Sequence, residues 1–288
     1  MRQTRPSRPH HARPAPGRES SNQAPRAHQV GSASTRDSGA RGPHTREFLR
    51  VAGLPAVQAL FARGADRIER LFFTAELQTA AAPLTAALAR SRKPFRVLPG
   101  DELAKVAGSA MHGGIVAIAQ PKPVARFDIA EAARWAAREN LIVILDGVSN
   151  PHNLGAIART AAFFGVAHMI VSDHPAQAMP SDAAYRVAEG GLDYLDLVQV
   201  SGIVPALRRL SQSFRIVGTG VAQGARSLAT VPRDKPIALV LGNEERGLDR
   251  TTLVLCDIVA TIPGSGRVQS LNVAAASAIA IQLFTSAR

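Results

Sequence analysis

A chain of 288 residues with 46% apolar residues and one cysteine has enough apolar side chain for a sizeable core, and its length suggests two folded domains or one with appendages. No apolar run reaches the length of a membrane span, a single cysteine excludes an internal disulfide, and a zinc site would rest on His and carboxylates alone. The formal net charge of +12 favours polyanionic partners, nucleic acid or an anionic membrane surface, without choosing between them.

Residues 1–45 hold no Phe, Trp or Tyr, and Met1 and Val30 are their only large aliphatic side chains. A segment filled with Pro, Ser, Gly, Ala and Arg cannot bury enough surface to offset its ordering entropy, so a disordered arm is expected. Eight arginines stand there against Glu19 and Asp37, a net of +6 and half of the protein's excess. Such an arm adds salt-sensitive, sequence-blind affinity for phosphates, or serves only as a solubilising tail. A transit peptide also fits the arginines, but the prolines and the missing apolar face argue against it. The arm has no hydrophobic segment, so a secretory signal is not expected. Together with the lone Cys256 in an apolar stretch, read as a small core residue, this suggests a cytoplasmic setting.

Residues 46–120 read as a small α/β unit. Helices are expected at 55–63, 77–91 (with a break or later start at Pro83) and 99–107, and strands at 68–74, 95–98 and 115–119. Pro121 and Pro123 mark a linker, followed by a helix at 129–138 that carries Trp135 as a packing residue. From 140 to 288 the pattern alternates. Strands are expected at 141–145, 168–172, 194–199, 214–218, 237–241 and 258–262, with helices at about 154–164, 181–189, 202–211, 249–256 and 272–286. Alternation of this kind predicts a mostly parallel sheet covered on both faces. Ligands bind such sheets at the carboxyl ends of strands, so the loops after 145, 241 and 262 carry the information.

The first loop reads Asp146-Gly-Val-Ser-Asn-Pro-His-Asn-Leu-Gly155 and runs into a helix. Leu154, Ile157, Ala161 and Phe164 share the apolar face of that helix, and Arg159 points away from it, free for phosphate or ribose or merely solvated. Asn153 is placed to cap the helix or to serve the site. The second loop, Gly242-Asn-Glu-Glu-Arg-Gly247, lets backbone approach a ligand at Gly242, and Glu244 is either functional or one acid in a polar turn. Neither a Walker phosphate loop nor the dinucleotide glycine fingerprint is present, which disfavours a nicotinamide enzyme. The third loop runs from Thr261 through Ile262, Pro263, Gly264 and Gly266 to Ser270, Leu271 and Asn272, where either polar residue suits a helix cap. It would lie beside the second loop if the two preceding strands pair.

Taken in order, N-P-x-N-x-G-A-I-x-R-T-A, L-G-N-E-x-x-G-L and I-P-x-x-G-x-x-x-S-L-N-V-A resemble the three motifs of the SpoU–TrmH family of SPOUT RNA methyltransferases. The stretches Gly53-Leu-Pro-Ala-Val-Gln-Ala-Leu60 and Met111-His-Gly-Gly-Ile-Val-Ala117 resemble the substrate-binding domain that often precedes that catalytic domain. The resemblance implies an α/β fold with a trefoil knot near its C-terminus, a homodimer, ribosomal or transfer RNA as partner, and methylation of a ribose 2′-hydroxyl by S-adenosylmethionine. It assigns Asn153, Arg159, Glu244, Ser270 and Asn272 to catalysis, and Leu241, Gly242, Asn243, Ile262 and Leu271 to the cofactor, bound largely through backbone. No metal is implied. The family gives proton removal to the arginine. A guanidinium pKa above about 12 favours instead a grip on the adjacent phosphate, with Glu244 positioning Arg159 or neighbouring backbone.

Two departures bear on the RNA target more than on the reaction. Val187-Ala-Glu-Gly-Gly-Leu192 stands where many members have Ser-x-Gly-Ala, so Glu189 adds an acid near a helix end, and Gly264 stands where methionine is frequent. The alternatives are a non-catalytic RNA-binding or ribosome-assembly factor on the same fold, and a methyltransferase acting on a base nitrogen.

Overall fold

Leu141 to Leu145 are buried on both faces, as the interior of a parallel sheet requires. The computed structural model describes residues 48–221 and 224–286, within one compact unit spanning 45–288; the expected disordered arm lies outside the described residues. The first part of that unit comprises β1 (Leu49–Ala52), α1 (Leu54–Gly64), β2 (Ile68–Phe73), α2 (Gln78–Arg90), β3 (Phe95–Val97), α3 (Gly100–Ala107) and β4 (Ile115–Ala119). Its sheet has the order β1-β4-β2-β3, antiparallel except where β2 meets β3. The short β1 was not foreseen. Pro83 lies within α2 without breaking it, because Ala81, Leu84 and Leu88 bury the opposite face and carry the helix past it.

Next come β5 (Ala125–Arg126), α4 (Ile129–Arg138), β6 (Leu141–Asp146), α5 (Pro151–Phe163), β7 (His168–Val171), α6 (Asp182–Ala188), α7 (Gly191–Tyr194) and β8 (Asp196–Gln199). The chain ends with α8 (Ile203–Leu210), β9 (Arg215–Thr219), β10 (Arg226–Ser227), β11 (Ile237–Gly242), α9 (Arg250–Leu253), β12 (Ile258–Thr261) and α10 (Val273–Thr285). These eight strands make one sheet, β10-β12-β9-β11-β6-β7-β8-β5, parallel at every pairing. The stretch read as a linker thus supplies an edge strand, β5, beside β8.

Alternation along β6 assigns the two faces. Leu141, Val143 and Leu145 pack with Leu154 and Ile157 of α5 and Ile281 of α10, while Ile142 and Ile144 pack with Trp135, Leu207 and Leu210. The sheet is covered on both sides, as expected. Trp135 is a packing residue, stacked 4.1 Å from His168. Cys256 is half-buried, and burial raises its thiol pKa to about 11, which keeps it protonated at neutral pH. Among the described residues no helix is long and apolar enough to cross a membrane.

The two sheets share one continuous core. Val57 and Leu60 of α1 meet Tyr185 and Leu192 of the second part in it. Beside them the Arg67 guanidinium pairs with the fully buried Asp193 carboxylate, and Lys122 Nζ donates to Leu195 O at 2.7 Å.

Candidate active site

β6 and β11 are neighbours, with Leu145 opposite Leu241 and Asp146 opposite Gly242. The first and second loops therefore leave the carboxyl edge of the sheet side by side. β12 pairs with β9 and β10 instead, so the third loop does not start beside the second. It arrives by crossing back: α10 packs on α5 and touches both β6 and β11, which brings Asn272 to the same edge.

α5 starts at Pro151, three residues before the expected 154. The Asn150 side chain caps it, accepting from His152 N at 2.8 Å, and proline at the first helical position has no orphaned N–H to satisfy. Asn153 is thus not a cap. It sits inside the helix, 7% exposed, and both ends of its amide are used. Nδ2 donates to Glu244 Oε1 at 2.8 Å, and Oδ1 accepts from Asn272 Nδ2 at 3.1 Å. Asn272 does cap α10, accepting from Ala274 N at 2.8 Å, so it serves helix and site together.

Glu244 is the hub. Its Oε2 accepts from Ser149 N and Ser149 Oγ, both at 3.0 Å, and its Oε1 accepts from Asn150 N at 3.1 Å as well as from Asn153. Partial burial pushes the Glu244 carboxyl up, but the bonds from Asn153, Ser149, its own backbone and Asn150 outweigh that effect and hold it below the ordinary glutamate value. The Glu244 carboxylate thus bonds to neighbouring backbone at Ser149 and Asn150, while the Arg159 guanidinium pairs with Glu189. Asn243 Nδ2 donates to Gly147 O at 2.8 Å, and its backbone exchanges two hydrogen bonds with Gly247, closing the second loop into a tight turn. That turn presses on Gly242, where a Cβ would lie 2.5 Å from Gly247 O. Beneath it, Thr252 Oγ1 donates to the buried Asp146 carboxylate at 2.7 Å.

The remaining expected residues are dispersed. Arg159 stands on the outer face of α5 with its side chain 55% exposed, paired with Glu189 at 2.8 Å. Ser270 is exposed on the third loop and, among the described residues, is hydrogen-bonded to none of the others. Leu241 is fully buried, so only its backbone can meet a ligand, whereas Ile262 is half-buried and Leu271 is 52% exposed. A glycine that admits no Cβ, an exposed loop over 263–272 and an uncovered leucine fit a group held by backbone with one apolar contact. Ser149 and Asn150 went unrecognised as Glu244 partners. The Asn150-Pro151 pair was the signal for the helix start.

Residues 140–282 match the profile of the SpoU rRNA Methylase family, and residues 50–125 match the domain described as RNA 2′-O ribose methyltransferase substrate binding. The 23S rRNA (guanosine-2′-O-)-methyltransferase RlmB of Acinetobacter baylyi is 36% identical over 63% of this chain and 73% of its own length. RlmB of Ralstonia nicotianae is 32% identical over 80% of this chain and 92% of its own. The chain belongs to the SpoU rRNA methylase family. As a SpoU methylase it is an RNA 2′-O-ribose methyltransferase, and its partner is RNA. The crystal structure of the SpoU methyltransferase AviRb from Streptomyces viridochromogenes, in complex with AdoMet, superposes with a TM-score of 0.68 at 26% identity. The match covers 86% of this SpoU methylase and 93% of AviRb.

Proposed function

We propose that the protein methylates a ribose 2′-hydroxyl in ribosomal RNA, with Arg159 acting on the substrate, Glu244, Asn153 and Asn272 ordering the loops at the sheet edge, and Ser270 as a further site residue on the third loop. The observation that carries this reading is the hydrogen-bond chain Glu244–Asn153–Asn272, which ties three loops distant in sequence at one edge of the sheet. The choice of ribosomal RNA rests on the relatives named for 23S rRNA that match over most of their length.

The donor is S-adenosylmethionine, which supplies an electrophilic methyl on a sulfonium when bound. Backbone groups of Leu241, Gly242, Asn243, Ile262 and Leu271 hold it, with the Leu271 side chain as apolar contact. Guanidinium groups keep their charge in proteins, so Arg159 grips the phosphate beside the target ribose and holds the hydroxyl in line. Glu244 keeps the first loop in shape for that approach, and Ser270, free on the third loop, is available to the RNA.

The small sheet, residues 46–120, serves as the RNA-binding domain and residues 140–288 as the methyltransferase. The return from β12 to α10 is the passage in which the family's knot would form. A homodimer belongs to the same reading: Phe163 on α5 is 82% exposed and Ile279 on α10 is 44% exposed, two apolar side chains on helices that pack together. The enzyme works in the cytoplasm.

Purified protein is incubated with tritiated S-adenosylmethionine and total RNA from cells lacking the gene, beside Arg159→Ala. Label recovered as a 2′-O-methylnucleoside from ribosomal RNA, with the wild type alone, is the expected result. Label on transfer RNA would correct the substrate, and label on a base would overturn the reaction. Cofactor binding without label on free or ribosome-bound RNA would favour an assembly factor.

A further inference from the structure

Glu189 ends α6 at φ 43°, a left-handed conformation that glycine or asparagine adopts far more readily. Its Oε2 lies 2.8 Å from Arg159 Nη2, with the two side chains 45% and 55% exposed. An ion pair this open adds little to stability and does not offset a strained backbone. The conformation is enforced by its neighbours. At Gly190 a Cβ would lie 2.5 Å from Ala59 Cβ of α1, and at Gly191 a Cβ would lie 2.8 Å from both Ala158 O and Arg159 Cα. The turn 189–191 is therefore wedged between α1 and the turn of α5 that carries Arg159, and it delivers the carboxylate to the guanidinium on rigid backbone. Only Nη2 is engaged. Among the described residues the other guanidinium N–H groups have no partner and remain available to an RNA phosphate or hydroxyl.

We propose that Glu189 is a positioning residue for Arg159. It restricts the guanidinium to the orientation in which its unpaired edge meets the substrate, and so raises the fraction of bound RNA in reacting geometry. The inference rests on Arg159 acting on the substrate, as proposed above. It carries a distinctive signature, because the carboxylate also places a negative charge beside the phosphate path. Removing it lowers turnover while RNA binding holds or tightens.

Four proteins decide the matter, Glu189→Gly, Glu189→Gln, Arg159→Ala and the Glu189→Gly/Arg159→Ala double variant, assayed with tritiated S-adenosylmethionine on total RNA from cells lacking the gene. Glycine takes the left-handed conformation without strain, so the melting temperature of Glu189→Gly equals or exceeds that of the wild type. Its kcat falls about tenfold or more with KM unchanged or lower, as loss of orientation demands. Glu189→Gln keeps an oxygen for the guanidinium and loses less. The double variant is no slower than Arg159→Ala, because Glu189 acts through the arginine. Wild-type kcat in Glu189→Gly beside an impaired Arg159→Ala overturns the positioning role and leaves that of Arg159 standing. Additive losses in the double variant also overturn it. An Arg159→Ala enzyme as fast as wild type removes the reading of Arg159, and this inference with it.

Discussion

Asn153 Nδ2 donates to Glu244 Oε1 at 2.8 Å across 91 residues of sequence. The same amide accepts from Asn272, which lies 119 residues along the chain from Asn153, so one buried side chain fastens the three motif loops to each other. A buried amide with both ends satisfied specifies a single arrangement, since any shift leaves polar groups unpaired.

Asn153→Ala is therefore expected to destabilise the protein by about 1–3 kcal/mol, the usual penalty for stranding buried hydrogen-bond partners. Methyl transfer falls with it, because Glu244 loses one donor and Asn272 loses its acceptor. Thermal unfolding and the tritium assay measure the two effects, and a variant with normal melting and normal turnover would contradict the role given to Asn153.

Glu244 supplies a pH dependence. Its carboxyl is held below the ordinary glutamate value, so the folded state binds that proton less readily than the unfolded chain. The stabilisation is fully present above the unfolded value near about pH 4.3 and is lost as pH falls through the lower folded value. The melting difference between wild type and Glu244→Gln is then widest near neutrality and shrinks in acid. A difference that grows on acidification would reverse the assigned sign.

At Gly242 an added Cβ would lie 2.5 Å from both Gly247 O and Leu248 N, atoms of backbone that cannot rotate away. Gly242→Ala forces the turn open, at about 1–3 kcal/mol of stability. Titration calorimetry with S-adenosylmethionine should show weaker binding. Unchanged affinity would remove Gly242 from the cofactor site.

The Asp193 carboxylate is wholly buried against Arg67, on the seam between the two sheets. Asp193→Ala strands a guanidinium that is only 11% exposed, a change expected to cost about 3–5 kcal/mol. Replacing both, as Arg67→Met with Asp193→Leu, should recover much of that loss. Equal melting of the single variant and wild type would show that the pair does not fasten the seam.

For the arm, with its net of +6, deletion of residues 1–45 should weaken RNA binding and flatten its dependence on salt. If every excess charge meets a phosphate, the logarithmic salt slope becomes shallower by about 4. An unchanged slope assigns the arm no part in binding.

The departure at Glu189 was visible in the sequence as an acid in an unusual place, but its partner was not. The same holds for the capping of α5. Asn150-Pro151 carries the local signature of a helix start, yet Asn153 lay closer to the apolar periodicity and drew the expectation of a cap. The apolar periodicity first becomes clear at Leu154, because the opening turn is defined by its cap and proline.

By itself the sequence determined what depends on near neighbours. Apolar runs of five mark the central strands, periodic faces mark the helices, and three motifs in order mark an RNA ribose methyltransferase. Tertiary structure alone decided which motif residues meet. β9 separates β12 from β11, and the chain returns over α5 before Asn272 reaches Asn153. The packing of α6 on α5 sends Arg159 to Glu189, and Glu244 is left to the loop backbone. Hydrogen bonds between residues 91 and 119 positions apart are set by the route of the chain, and local pattern carries no record of that route.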